Sequence, residues 1–294
     1  MPERDMDGAV NGRAPPAGTL SRVGADFPLR AATGLTLMVI ALVMAYVGGF
    51  PFLVFWGAAS AGVLWEFQRL VGGDRLWARV GVGWLALLAV SPFALHARGV
   101  IALLILFVGA ILTGALADAP RRLWSGAGVI YAGALLIGVN LLRASPEYGL
   151  IAILWLFAVV WGTDVMAYFG GRLIGGPKLW KRVSPGKTWS GAVVGVLLGA
   201  LLGAILALIA APGGVRLAPM LTLGLAVSAA SQLGDLFESA MKRRADVKDS
   251  SRLIPGHGGL MDRLDGFIVA TALAAVVAAT RSSGTWIAPG LFQW

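Results

Sequence analysis

WSGAVVGVLLGALLGAILALIAA, residues 189–211, carries no charged side chain over a length that suits one bilayer crossing. About 20 apolar residues in a helix cover roughly 30 Å of hydrocarbon. Backbone polar groups in lipid have to be satisfied within their own segment, and a helix does this. Gly191, Gly195, Gly199 and Gly203 recur at spacing four in the same stretch. Small residues so placed let another helix backbone approach closely. The spacing leaves open whether that neighbour lies in the same chain or in the second copy of a homodimer.

Outward from this segment, apolar stretches of similar length recur along the 294 residues. Nine candidate spans fall near 31–47, 50–66, 80–96, 99–117, 124–142, 149–170, 189–211, 217–240 and 265–283. Overall 57% of residues are hydrophobic and 13% charged, against about 25% charged in an ordinary soluble domain. No ten-residue alternating segments of the transmembrane-barrel kind are present. The expected fold is all-α: a polytopic helical membrane protein with about nine transmembrane helices. Residues 1–28, rich in Pro, Gly, Arg and Asp, read as a disordered cytoplasmic tail. Residues 29–294 read as one integral membrane domain.

The net charge of +9 does not point to nucleic acid, because the basic residues sit between apolar spans rather than on one soluble face. Of the 24 Lys and Arg residues, all but Arg98, Arg143, Arg216 and Arg281 fall on one side of the nine-span topology. The positive-inside rule makes that side cytoplasmic, together with the N-terminus and the two most basic loops. Cysteine is absent, which excludes disulfides, thiolate nucleophiles and Cys-based metal sites.

Two regions hold more polar residue types than orientation requires. In the eighth span Ser228, Ser231, Gln232, Asp235, Glu238, Ser239 and Lys242 recur at intervals of three and four, a polar stripe on one helix face. A carboxylate at the centre of a bilayer costs about 2.5–3.5 kcal/mol on insertion scales, so Asp235 and Glu238 demand partners or water. The following loop contains Pro255, Gly256, Gly258 and Gly259, then Asp262 and Asp265 at helical spacing three. Carboxylates facing Asp235 across the bundle suit a hard divalent cation and substrate phosphates, with Lys and Arg as countercharge.

The loop between spans six and seven supplies the second region. Asp164, Tyr168 and Arg172 share a helix face, and the chain continues to Ser184-Pro-Gly-Lys187-Thr188. A nucleotide P-loop needs Gly five positions before Gly186, where Lys181 stands, so that motif is excluded. A Ser/Gly/Lys loop still suits phosphate through backbone N–H groups and Lys187. Neither His96 nor His257 has a second His at metal-ligand spacing, which argues against a zinc hydrolase. Phosphate chemistry at a metal, on the cytoplasmic side, is the expectation.

The segment from Ser239 to Asp265 resembles the signature of the phosphatidate cytidylyltransferase (CDP-diacylglycerol synthase) family. It shows Ser-x-x-Lys-Arg, Lys248-Asp249, and His257-Gly258-Gly259-x-x-Asp262-Arg263-x-Asp265 without a gap. Residues 164–172 and 184–188 are similar to two further segments of that family, and the resemblance runs from about residue 160 to 270. One departure is Ser190, where members of the family commonly carry Glu. The resemblance implies a Mg²⁺-dependent reaction of CTP with phosphatidate at the inner membrane, with room for a second metal ion. It further implies Asp235 and Asp262 as metal ligands, with Ser239 and Asp265 beside them. Lys242, Arg243, Lys248 and Arg263 would neutralise phosphate, Ser184 and Lys187 would contact it, and Asp164 would support metal or substrate. Arg172 and Asp249 belong to the matched segments and count as substrate-binding. His257, Gly258 and Gly259 would shape the loop over the nucleotide.

Two other classes compete with this expectation. A transporter would account for intramembrane Asp164 and Asp235 but not for the dense Lys/Asp/His-Gly-Gly loop, and no inverted pair of broken helices is evident. A lipid-alcohol kinase would keep CTP and change the acceptor. A CDP-alcohol phosphotransferase needs Asp-Gly-x-x-Ala-Arg, which the chain lacks after Asp265 and Gly266.

Overall fold

The computed structural model describes residues 18–254 and 258–294, with side chains from residue 32 onward. Among the described residues the chain is a helical bundle: α1 (Gly18–Val47), α2 (Gly49–Val71), α3 (Leu76–Leu95), α4 (Gly99–Ala115), α5 (Arg122–Arg143), α6 (Gly149–Ile174), α7 (Trp189–Ala210), α8 (Leu217–Arg244) and α9 (Met261–Arg281), with a short α10 (Pro289–Phe292). Seven of these segments are long and apolar enough to cross a membrane. The apolar part of α1, Ala32–Val47, and the 17-residue α4 are shorter. The protein is therefore an all-α polytopic membrane protein. The first part of the expected tail, residues 1–17, lies outside the described residues, and the chain from Gly18 is helical.

One element departs from a purely helical reading. Residues Lys178–Trp180 (β1) and Ser184–Thr188 (β2) pair antiparallel in a small hairpin between α6 and α7. Gly175 ends α6 with φ 69°, in the left-handed region where a side chain is strained, and thereby turns the chain into the hairpin. At the other end Thr188 caps α7, its Oγ1 accepting from Gly191 N at 3.1 Å.

α5 occupies the centre of the bundle, with 72% of its apolar stretch buried against 33% for α7. Trp56 of α2 stacks on Phe267 of α9 at 5.1 Å between ring centroids, and Phe157 of α6 lies 5.4 Å from the same ring. These large apolar rings join three helices that are distant in sequence.

Between helices in lipid, close packing replaces the hydrophobic drive. The glycine stripe of α7 meets α6 of the same chain: Gly191 faces the Ala167 carbonyl, Gly195 the Thr163 carbonyl, Gly199 Thr163 and Gly203 Trp155. The stripe is thus an intrachain contact. It is reinforced by Thr163 Oγ1 and Ser228 Oγ, buried and 2.5 Å apart, which tie α6 to α8. α8 and α9 make a second close crossing. A methyl group on Gly234 would run into the Asp265 carbonyl, and one on Gly266 into Ser231. The two helices touch backbone to backbone at the level where Asp235 and Asp265 emerge.

The two ends of the bundle differ. At one, the C-terminal ends of α2, α6 and α8 meet the N-terminal end of α9 and the hairpin. At the other, Arg143 donates to the Ala45 carbonyl at 2.7 Å, and α10 is held by Phe292 against Tyr148 and by Arg281 over the Trp294 ring.

Candidate active site

A cavity of about 910 Å³ opens at the first of these ends. Its walls come from α6, the hairpin, α7, α8 and α9, and they bring Asp164, Arg172, Lys187, Asp235, Lys242 and Asp265 to one space. Asp249, Asp262 and Arg263 complete the wall on the side of the α8–α9 connection. Two regions separated by some fifty residues in sequence are therefore one site.

The centre of the cavity is acidic. Ligand oxygens of Asp235, Glu238 and Asp265 all lie within 4.8 Å of one another. Glu238 is 1% exposed. Three converging carboxylates form a cluster of acidic residues able to bind a metal ion, with the oxygen donors that hard divalent cations take. Antiparallel packing explains the set: a helix rises 1.5 Å per residue, so the close crossing at Gly234 and Gly266 sets Asp265 beside Asp235. Tyr131 of α5 donates from its hydroxyl to the Asp265 carbonyl at 3.3 Å, and Gly266 N donates to Asp265 Oδ1 at 2.7 Å.

Asp262, one turn earlier on α9, lies outside this cluster. Its carboxylate accepts from Lys242 Nζ at 2.8 Å, Gly259 N at 2.8 Å and Ser250 N at 3.0 Å. Lys242 Nζ is also 2.7 Å from Glu238 Oε2, so the lysine bridges the acid cluster and the loop. On the opposite wall Lys187, at the end of β2, forms an ion pair with Asp235. Ser239 Oγ reaches Asp235 Oδ1 at 3.4 Å.

Other expected residues stand further from the centre. Arg172 Nη1 donates to the Tyr168 hydroxyl at 2.8 Å. Ser184 opens β2, half-buried and away from the cavity lining. Arg243 is exposed, its Nη1 donating to the Val247 carbonyl, and Lys248 is exposed in the loop. Gly258 has φ 83° and bridges to Ile254, which closes the loop in a conformation suited to glycine. Gly259 is buried, and its N–H points at Asp262. His257 lies outside the described residues. Ser190 donates to the Gly175 carbonyl and so ties the start of α7 to the end of α6.

Sequence reasoning missed Glu66. This residue of α2 is fully buried and accepts four hydrogen bonds from the α8–α9 connection. The donors are Ser250 Oγ at 3.1 Å, Ser251 Oγ at 2.5 Å, Leu260 N at 2.9 Å and Met261 N at 2.6 Å. A signal existed: a lone carboxylate at the end of an apolar span is a functional pointer by default.

The sequence profile of the cytidylyltransferase family matches residues 28–280. The chain belongs to the cytidylyltransferase family. It is 39% identical over 246 residues to a phosphatidate cytidylyltransferase of Brucella abortus, covering 83% of this chain and 90% of the relative. A phosphatidate cytidylyltransferase of Pseudomonas aeruginosa is 38% identical over 275 residues, covering 88% and 98%. One of Bacillus subtilis is 32% identical over 254 residues, covering 83% and 94%. The chain is a nucleotidyltransferase of this family, and the match extends through the N-terminal half, well beyond the segments that carried the resemblance.

Proposed function

We propose that this protein transfers the cytidylyl group of CTP to phosphatidate, forming CDP-diacylglycerol and releasing pyrophosphate. The observation that carries the reading is the trio Asp235, Glu238 and Asp265, flanked by Lys187 and Lys242, in one cavity of a chain whose relatives bear that name. Hard oxygen donors fit Mg²⁺, and Asp235, Glu238 and Asp265 would hold it. Asp262 is assigned instead to fixing Lys242, because its oxygens already accept bonds from Lys242, Ser250 and Gly259. Mg²⁺ there would neutralise triphosphate charge and orient the α-phosphate, and Asp164 would offer a further oxygen to a second ion.

The remaining work falls to the chain's cations. An oxygen of the lipid phosphate bonds to the α-phosphorus of CTP as the bond to the β-phosphate bridge breaks, and pyrophosphate departs with the electron pair. Such in-line transfers need positioning and charge stabilisation rather than covalent help from the protein. Lys187 exchanges Asp235 for phosphate oxygen when substrate arrives, and Lys242 stays fixed between Glu238 and Asp262. Arg263 and Arg172 face the incoming phosphates from the walls. Lys248 and Arg243, exposed beside the opening, draw anions toward it.

In this reading the chain crosses the inner membrane nine times. The N-terminus and the cavity face the cytoplasm, where CTP is. Intrachain packing of the glycine stripe leaves a homodimer to other surfaces.

Pyrophosphate release by the detergent-purified protein, with phosphatidate, CTP and Mg²⁺, tests the reaction. Release is expected to need both substrates and to vanish in Asp235→Asn. Transfer of a phosphate from CTP to a lipid alcohol, with no pyrophosphate, would overturn the reading in favour of a kinase.

A further inference from the structure

Glu66 has no place in the reaction above, and it does not line the cavity. Yet it is fully buried, and its carboxylate is met by four donors and no cation among the described contacts. Burying a carboxylate without hydrogen bonds is costly, whereas one that accepts several N–H and O–H bonds is held firmly. The donors lie 184 to 195 residues away in sequence, on both sides of the loop that precedes α9. Leu260 is the N-cap of α9 and Met261 its first residue, a helix end whose backbone N–H groups have no partners within the helix.

The next links lead to the reacting groups. Ser250, whose hydroxyl donates to Glu66, donates its own N–H to Asp262 at 3.0 Å. Gly259, adjacent to Leu260, does the same at 2.8 Å. Asp262 fixes Lys242, and Lys242 touches Glu238 of the acid cluster. Gly259 has no room for a side chain, since a methyl group there would collide with Ser250 Oγ and Glu66.

We infer that Glu66 is a positioning residue: from α2 it clamps Ser250, Ser251, Leu260 and Met261, and through Asp262 it sets the place of Lys242 in the active site. It touches no substrate, and its catalytic effect rests on the reaction proposed above. A carboxylate presents two oxygens to four donors. Glutamine presents one oxygen and turns an NH₂ group toward two of the same donors, so Glu66→Gln has the right size and the wrong polarity.

The test uses the full chain in detergent, with two readouts: steady-state pyrophosphate release, and amide hydrogen exchange at Ser250, Gly259, Leu260 and Met261. Glu66→Gln is expected to lower kcat by at least about tenfold, with KM for both substrates within about threefold, because misplacement rather than lost binding is the defect. Exchange of the Ser250, Gly259, Leu260 and Met261 amides is expected to rise by at least about tenfold. The control is Gln68→Leu, which removes another buried polar group of α2 that bonds to Ser125 and Arg79 and not to the clamp. It is expected to lower the melting temperature while keeping kcat and the local exchange within about twofold of the parent.

Parental kcat and exchange in Glu66→Gln overturn the inference. So does an equal loss of both in Gln68→Leu, which would make the effect general destabilisation. If Glu66→Gln does not fold, the double variant Ser250→Ala, Ser251→Ala removes two of the four donors from the other side. Partial losses in both readouts support the clamp, and parental values sink it. If the parent releases no pyrophosphate, the proposed function fails, and the exchange measurement still decides the clamp.

Discussion

Replacing Gly234 by alanine tests whether the spacing of the acid cluster is set by backbone contact between α8 and α9. The new Cβ would stand 2.5 Å from the Asp265 carbonyl oxygen and 3.1 Å from Gly266 Cα. Ordinary contacts between heavy atoms of this kind settle near 3.5 Å, so α9 has to recede by about 1 Å. Backbone atoms cannot rotate out of the way as a long side chain does. Overpacking of this kind costs about 1–3 kcal/mol, partly offset by alanine's helix preference of about 1 kcal/mol over glycine. The catalytic effect is larger than the stability effect, because a 1 Å misplacement of reacting groups costs about 100-fold in rate. Gly57→Ala is the matched control: it lies in α2, and a methyl group there meets nothing within 4 Å. The assay is pyrophosphate release at saturating CTP and phosphatidate, with thermal melting of both variants. Gly234→Ala is expected to fold and to lose about two orders of magnitude in kcat, and Gly57→Ala to match the parent. Rates within about threefold of the parent in Gly234→Ala would refute the claim that this crossing governs the site.

Lys187→Ala removes the ion pair to Asp235 and, in the proposed reaction, one phosphate contact, and kcat/KM for CTP is expected to fall by about 100-fold with little change in melting temperature, the pair being partly exposed. Lys242→Met strands the buried carboxylates of Glu238 and Asp262, and a loss of about 3–5 kcal/mol of stability is expected in thermal melts. Adding Glu238→Leu to it should recover part of that stability and none of the activity, since the proposed metal site is then short of a carboxylate. Chelation of divalent cations should abolish pyrophosphate release, and Mg²⁺ should restore it; full activity in excess chelator would remove the metal from the reading.

The helices were legible because lipid imposes one requirement on every crossing, a long apolar run, and such runs stand out in sequence. Their glycines announced close packing but not the partner, since small-residue spacing is the same whether the neighbour is α6 or another copy. The acid cluster was half legible. Asp235, Glu238, Asp262 and Asp265 all stood out, at spacing three within each helix. What sequence leaves open is the register of α9 against α8, and that register pairs Asp265 with Asp235 and Asp262 with Lys242. Glu66 stayed hidden for a related reason. It sits at the end of an apolar span, where a carboxylate also reads as a helix end meeting water, and its donors are nearly two hundred residues away. The hairpin of residues 178–188 has no strand signature in sequence, because Ser-Pro-Gly-Lys-Thr lacks alternation and its short strands carry a register irregularity.

α7 has two faces with different duties. Gly191 and Ala192 line the cavity, while Val193, Leu197 and Leu201 point outward and are exposed. The partition between oil and catalytic chamber is thus one helix thick there, about 10 Å. For the diacyl acceptor of the proposed reaction a thin wall shortens any extraction: each methylene pulled into water would cost about 0.8 kcal/mol, a sum that grows with every carbon of two long chains. In the proposed reaction the tails stay dissolved in the bilayer and only the phosphate has to reach past α7 to a nucleotide arriving from water.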